Sequence, residues 1–316
     1  MASLPRHYRF NPMTTLKCRQ PFNKRFAQYL KERFAPLEYG FLSLIFSLAG
    51  LCLSSSLRLG TLSLPLQSTL SSMAVTLFMF FQLRVIDEHK DNENDCLYLP
   101  ERPVPRGLIS LNELKIVGLS LLAIQITLCL ANKITLLLLA LSFGYMGLMA
   151  REFFAGPYLA RRPMVYMLVH MAVMLFIDLV ITSFDFGLSR FDPRLLYFFA
   201  ASFLSGVIVE MGRKILPRPK AGITSYNHVL GLKAVTIWLQ LCIVLAQVCL
   251  CLALAPLSFS WLAIVAFLVF DVFVLPGYGK ATQQTLSKVF AGLSNLSVLF
   301  GYVTVLMVTL INYLVH

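Results

Sequence analysis

Residues Arg84 to Ser110 read RVIDEHKDNENDCLYLPERPVPRGLIS, a polar stretch wedged between two long apolar runs. Asp87, Asp91 and Asp95 recur at intervals of four, which places them within about 80° of one another on a helix turning 100° per residue. Glu88 falls beside them. Like charges at this spacing repel, by roughly 0.2–0.5 kcal/mol per pair on a solvated helix, so the cluster calls for cations. All-oxygen carboxylate ligands suit Mg²⁺, which binds through one or two carboxylates and completes its shell with phosphate and water. His89 and Lys90 flank the cluster, and Glu101-Arg102-Pro103 and Pro105-Arg106-Gly107 follow at once. Guanidinium groups are the preferred bidentate partners of phosphate oxygens. Acid, divalent ion and arginine together describe a diphosphate site. The competing reading is a solvated acidic loop.

Working outward, the runs on either side, 65–87 and 111–131, each supply the roughly 20 apolar residues that a bilayer-spanning helix needs. The pattern repeats along the 316-residue chain, at 36–57, 133–151, 163–184, 194–214, 233–255, 258–275 and 287–313. The composition agrees, with 58% hydrophobic and only 13% charged residues, against about 25% charged in a soluble domain. The expectation is an all-α integral membrane protein with about nine transmembrane helices around a central cavity, capped by cytoplasmic loops. Residues 35–316 form one transmembrane domain behind a basic N-terminal segment, 1–34.

A net charge of +12 would suggest nucleic acid in a soluble protein, but the placement of the cations argues for a bilayer and no nucleic acid. With a cytoplasmic N-terminus, every Lys and Arg except Arg58, Lys133, Arg190 and Arg194 falls on the cytoplasmic side, as the positive-inside rule requires. Arg6, Arg9, Lys17, Arg19, Lys24, Arg25, Lys31 and Arg33 open the chain. Between Pro21 and Phe34 they interleave with Phe22, Phe26, Tyr29 and Leu30, which suits a helix lying on an anionic membrane surface; a disordered basic tail is the alternative. The seven cysteines, Cys18 among them, show no metal-binding spacing and are assigned no function.

A second polar stretch runs from Val209 to Lys233, VEMGRKILPRPKAGITSYNHVLGLK. It follows the first by four spans, which hints at an internal duplication. It supplies Glu210, Arg213, Lys214, Arg218, Lys220 and Tyr226. Glu210 lies a turn inside the end of span 6, where an ionisable residue normally faces a cavity; the plain alternative is an intrahelical pair with Arg213 or Lys214. Arg151, ending span 4, is a further candidate for phosphate or a snorkelling interface cation. Asp178 in span 5 is expected to pair with Arg190 or Arg194, and His170 to be a packing residue.

The first stretch resembles the first aspartate-rich motif of the UbiA superfamily of intramembrane prenyltransferases. There an Asn-Asp-x-x-Asp-x-x-x-Asp pattern ends helix 2, with Arg-Pro and Gly-x-x-Ser following. Here Asp87, Glu88, Asp91 and Asp95 stand in the motif, then Arg102-Pro103 and Gly107 to Ser110. The second motif departs from the family: where another set of aspartates is usual, the chain has Pro217-Arg218-Pro219-Lys220, and Glu210 is the carboxylate that remains. The resemblance implies Mg²⁺ on Asp87, Glu88, Asp91 and Asp95, and a prenyl diphosphate headed by Lys90, Arg102, Arg106, Arg151, Arg213, Lys214, Arg218, Lys220 and Tyr226. Asp87, Asp91, Asp95 and Glu210 would then carry catalysis. It implies ionisation of the diphosphate and transfer of the prenyl group to a lipophilic, aromatic acceptor, with Arg218 or Lys220 standing in for a second ion. Phe80, Phe81, Phe153, Tyr197 and Phe198 are candidates to line the path of the cation. A UbiA-type terpene cyclase and a non-catalytic membrane protein that binds lipid diphosphate are the alternatives.

Overall fold

The computed structural model describes residues 20–60, 62, 64–186 and 191–315. In chain order these form α1 (Phe22–Arg33), α2 (Pro36–Leu59), α3 (Leu66–Lys90), α4 (Asn92–Tyr98), α5 (Leu111–Cys129), α6 (Lys133–Ala150), α7 (Gly156–Ala160), α8 (Pro163–Met171), α9 (Val173–Phe186), α10 (Leu195–Arg213), α11 (Tyr226–Leu230), α12 (Leu232–Leu254), α13 (Trp261–Gly279) and α14 (Leu286–Val315). With α8 and α9 counted as one path through the bilayer, nine spans among the described residues are long and apolar enough to cross a membrane. Lipid offers no partner to backbone N–H and C=O groups, so each crossing satisfies its own ladder as a helix. The chain is an all-α integral membrane protein.

Local chemistry sets the ends of the spans. Pro36 and Pro163 begin α2 and α8, where a missing N–H costs nothing. Ser110 and Glu113 close a reciprocal capping box at the start of α5. The tight turn between α5 and α6 is held by Asn132, whose side chain accepts from Ile134 N and Thr135 N at 3.0 and 3.3 Å.

Each span packs on the next in chain order, and α14 returns to α2, so the nine close into a ring. Further contacts of α2 with α9 and of α10 with α14 tie it across. Where apolar surface cannot drive association, small residues and hydroxyls let helices approach; Ser43, Ser47, Ser54, Ser72, Thr76, Ser183 and Ser202 are buried accordingly. At Gly212 a Cβ would come within 2.2 Å of Ser294 Oγ, so only glycine lets the polar end of α10 lie this close to α14.

The N-terminal helix forms as the spacing predicts, but its apolar face lies on the protein. Tyr29 and Phe34 are buried with Phe81, Val85, Ile109 and Leu114 in a small core of their own beneath α1. Phe81, expected to line the cation's path, is thus packed under α1, and Tyr197 is 43% exposed. Arg6, Arg9, Lys17, Cys18, Arg19 and Arg190 lie outside the described residues.

Candidate active site at the loop-bearing end of the bundle

The acidic strip is carried on a nearly continuous helix. The Asp91 amide donates to Asp87 O at 2.9 Å and the Asp95 amide to Asp91 O at 2.8 Å, so the four-residue rhythm passes unbroken from α3 into α4. The four carboxylates nevertheless have different fates. Asp87 is the most open, with Lys90 Nζ and Arg84 Nη1 each 3.9 Å away. Asp95 is buried and takes Arg102 Nη1 on both oxygens, at 2.8 and 2.7 Å. Glu88, 2% exposed, turns from the strip to Arg33 of α1 at 2.6 Å. Asp91 is half-buried, and burial raises its pKa; Asp87 and Asp95 raise it too, against the lowering pull of Lys90 and Lys214. Of the four, it is the carboxylate without an ion pair among the described residues.

The second stretch meets the first. Asn94 Nδ2 donates to Gly222 O at 3.0 Å, and Gly222, at φ +76°, packs on the Tyr98 ring, where a Cβ would lie 2.8 Å from that of Tyr98. Asn227 closes the second loop, accepting from Leu216 N at 3.0 Å and donating to Leu216 O at 2.8 Å. Glu210 is buried and held by two cations of its own helix: Arg213 Nε at 2.5 Å and Lys214 Nζ at 2.7 Å. Both partners foreseen as alternatives are engaged at once. Lys214, just past the end of α10, also lowers the pKa of Asp91. Buried Tyr226 feels Glu210, Arg213 and Tyr166, and burial raises its phenol pKa.

The remaining predicted residues divide. Lys90 is drawn into the mouth, donating to Tyr166 OH at 2.6 Å, and Tyr166 stacks on His170 at 3.9 Å between centroids. Arg106 turns away to Glu32 of α1, at 2.9 and 2.7 Å. Arg218 and Lys220 are exposed, lining a groove of about 640 Å³ with Leu216, Pro217, Pro219, Gln283 and Gln284. Arg151 is exposed at the end of α6. It opens a connection in which Glu152, Phe153 and Phe154 all take positive φ, a costly left-handed turn that sets Phe153 against Tyr145 and His170.

Sequence reasoning missed Tyr166 and Arg84. Tyr166 carried no local signal, being one of 12 tyrosines; Arg84 could have been found, since it stands three residues before Asp87 on the same helix face. Deeper in the bundle, Asp178 is fully buried, with Ser202 the polar side chain beside its carboxyl. It does not pair with Arg194, which bonds Asp192 Oδ1 at 2.8 Å. Arg58 has a partner that the sequence did not suggest, Asp185 at 2.8 Å.

Among the described residues, no group of three or more His, Cys, Asp or Glu is arranged to hold a metal ion. Asp87 and Asp91 stand one helical turn apart, and no ion pair among the described residues occupies Asp91; such a pair suits one divalent cation of the kind that binds through two carboxylates and shares its remaining positions with phosphate and water. Glu210, already neutralised by Arg213 and Lys214, does not fit a second.

Solved structures share this arrangement of helices over most of the chain. A UbiA homologue from Aeropyrum pernix K1 is 17% identical, over 88% of this chain and 98% of its own, with a TM-score of 0.62. A digeranylgeranylglyceryl phosphate synthase is 19% identical, over 90% and 99%, with a TM-score of 0.58. A UbiA homologue from Archaeoglobus fulgidus bound to DMAPP and Mg²⁺ is 14% identical, over 88% and 98%, with a TM-score of 0.54. No family model matches the sequence, and no curated protein does. The likeness establishes the fold.

Proposed function

We propose that the chain is an intramembrane prenyltransferase of the UbiA type that uses a prenyl diphosphate and a divalent cation, with both polar loops and the N-terminus on the cytoplasmic side. The observation that supports this reading is the meeting of the two polar stretches at one mouth, where Asn94 Nδ2 donates to Gly222 O at 3.0 Å, Lys90 Nζ stands 3.9 Å from Asp87 and Lys214 Nζ 2.7 Å from Glu210. The Archaeoglobus homologue binds a prenyl diphosphate with Mg²⁺ in the same fold. Mg²⁺ held by Asp87 and Asp91 would withdraw charge from the diphosphate oxygens. Lys90 and Lys214 bind those oxygens from either side, with Arg213 and Tyr226 beside Lys214 and Arg102 keeping Asp95 in place. Fixed cations aimed at a developing anion lower the barrier without reorganisation. The carbon–oxygen bond breaks with its electron pair leaving on diphosphate. The allylic cation is captured by a carbon of a lipophilic, aromatic acceptor, which then loses a proton, while the apolar bundle excludes water.

The test is product analysis by mass spectrometry after incubating the purified protein with a panel of prenyl diphosphates, with and without aromatic acceptors. Acceptor-dependent diphosphate release with a prenylated product is expected. Release without acceptor, giving a hydrocarbon or alcohol, would make the chain a terpene cyclase. One observation favours a non-catalytic diphosphate binder: Glu88, Asp95 and Glu210 are each consumed by an internal cation. No release with any substrate would decide for that reading.

A further inference from the structure

Glu88 stands between Asp87 and His89 at the end of α3 yet is withdrawn from the strip. Its side chain is 1% exposed, and Arg33 Nε reaches it at 2.6 Å from α1. A buried charge is costly unless it is paired, so each of these side chains holds the other in place. Three further contacts hold α1 down. Arg25 grips Glu113 at 2.6 and 3.1 Å and donates to Leu108 O at 3.1 Å. Glu32 takes both terminal nitrogens of Arg106. Phe26 and Phe34 meet the Phe81 ring edge-on, at 6.1 and 5.3 Å between centroids. The helix that the sequence places on a membrane surface therefore spends two of its arginines on the protein beside the acidic strip.

We propose that Arg33 is a positioning residue for the diphosphate site: it draws Glu88 out of the acidic strip, so that an incoming divalent ion meets Asp87 and Asp91 and no third carboxylate. The inference rests on the reading of that strip as a divalent-ion site. The physical reason is charge balance. Affinity for a hard cation rises with the number of charged ligands, but a third carboxylate would leave the ion too neutral to hold a diphosphate and would repel the diphosphate directly. By sequestering Glu88, α1 sets the net charge of the mouth without touching the substrate.

The experiment is a Mn²⁺ titration followed by electron paramagnetic resonance on the full-length protein in detergent without substrate, with steady-state kinetics of diphosphate release measured on the same proteins. It compares wild type, Arg33→Gln, Arg33→Lys, Glu88→Gln and the double variant Arg33→Gln/Glu88→Gln. Arg33→Gln, which frees Glu88, is expected to tighten Mn²⁺ about tenfold while raising KM for prenyl diphosphate and leaving kcat nearly unchanged. Arg33→Lys and the double variant are expected to return to the wild-type midpoint. A merely structural pair would move neither the midpoint nor KM in this direction. If Arg33→Gln does not fold, Arg33→His decides: a larger tightening of the Mn²⁺ midpoint between about pH 6 and about pH 8 than in wild type, as the imidazole loses its charge, supports the inference, and a change equal to that of wild type overturns it. Equal midpoints in wild type and a folded Arg33→Gln overturn the inference alone. Absence of bound Mn²⁺ in every protein overturns the divalent-ion reading, and the inference with it.

Discussion

The two polar loops occupy equivalent places four spans apart, and they handle charge in opposite ways. In the first, Asp91 keeps a raised pKa because burial and two neighbouring aspartates outweigh the nearby lysines. In the second, Glu210 is neutralised twice over, by Arg213 and Lys214 from its own helix. One half of the mouth is left wanting a cation, and the other brings cations of its own. The difference teaches that two loops meeting at one mouth can divide charge balance between open carboxylates and cations fixed by their own helix.

Substitutions can break or sharpen this contrast. The largest effect is expected at Asp91→Asn, which removes charge while keeping shape: diphosphate release should fall by about 100-fold or more, with the thermal melt unchanged. Survival of activity would erase the distinction between the loops. Lys214→Met should raise KM for the prenyl diphosphate about tenfold, since a charge-assisted hydrogen bond is worth about 1.5–3 kcal/mol; steady-state kinetics at saturating Mg²⁺ would show it. Gly222→Ala tests whether the loops must touch. A side chain at φ +76° on the Tyr98 ring should cost about 1–2 kcal/mol of stability in thermal unfolding.

Smaller effects mark the edges of the site. Arg218→Ala and Lys220→Ala, at exposed positions where salt screens charge, should change KM less than about twofold; a larger rise at 150 mM salt, roughly physiological, would move the second loop's working cation out to the groove. The smallest effect concerns Glu32, whose carboxyl is held below its usual pKa by hydrogen bonds from Arg106. A lowered carboxylate pKa contributes stability above the ordinary carboxylate range, and that contribution is lost as pH falls through the lowered value. The melting-temperature gap between wild type and Arg106→Gln should therefore close in acid.

Much of the architecture was legible in order along the chain. The expected spans match the observed helices to within a few residues because hydropathy is a local property, read over about 20 residues at a time. The acidic strip was legible too, because a spacing of four is a statement about one helix. Pairing was not. Asp178 was matched with Arg190 or Arg194 by proximity to the same end of the bundle, yet Arg194 bonds Asp192, two residues away in sequence. Phe81 is one of the aromatic candidates to line the path of the cation, and α1 covers it instead.

By itself the sequence determined the number and limits of the spans, the side on which polar residues gather, and the four-residue rhythm of the acidic strip, all of which follow from the energetics of single helices in lipid and water. Tertiary structure decided which carboxylates remain available. Glu88, Asp91 and Asp95 are the same kind of group within eight residues of chain, and only the packing of α1 and the Arg102 turn separates them. A cation that arrives from 55 positions away, as Arg33 does, leaves no mark in local spacing.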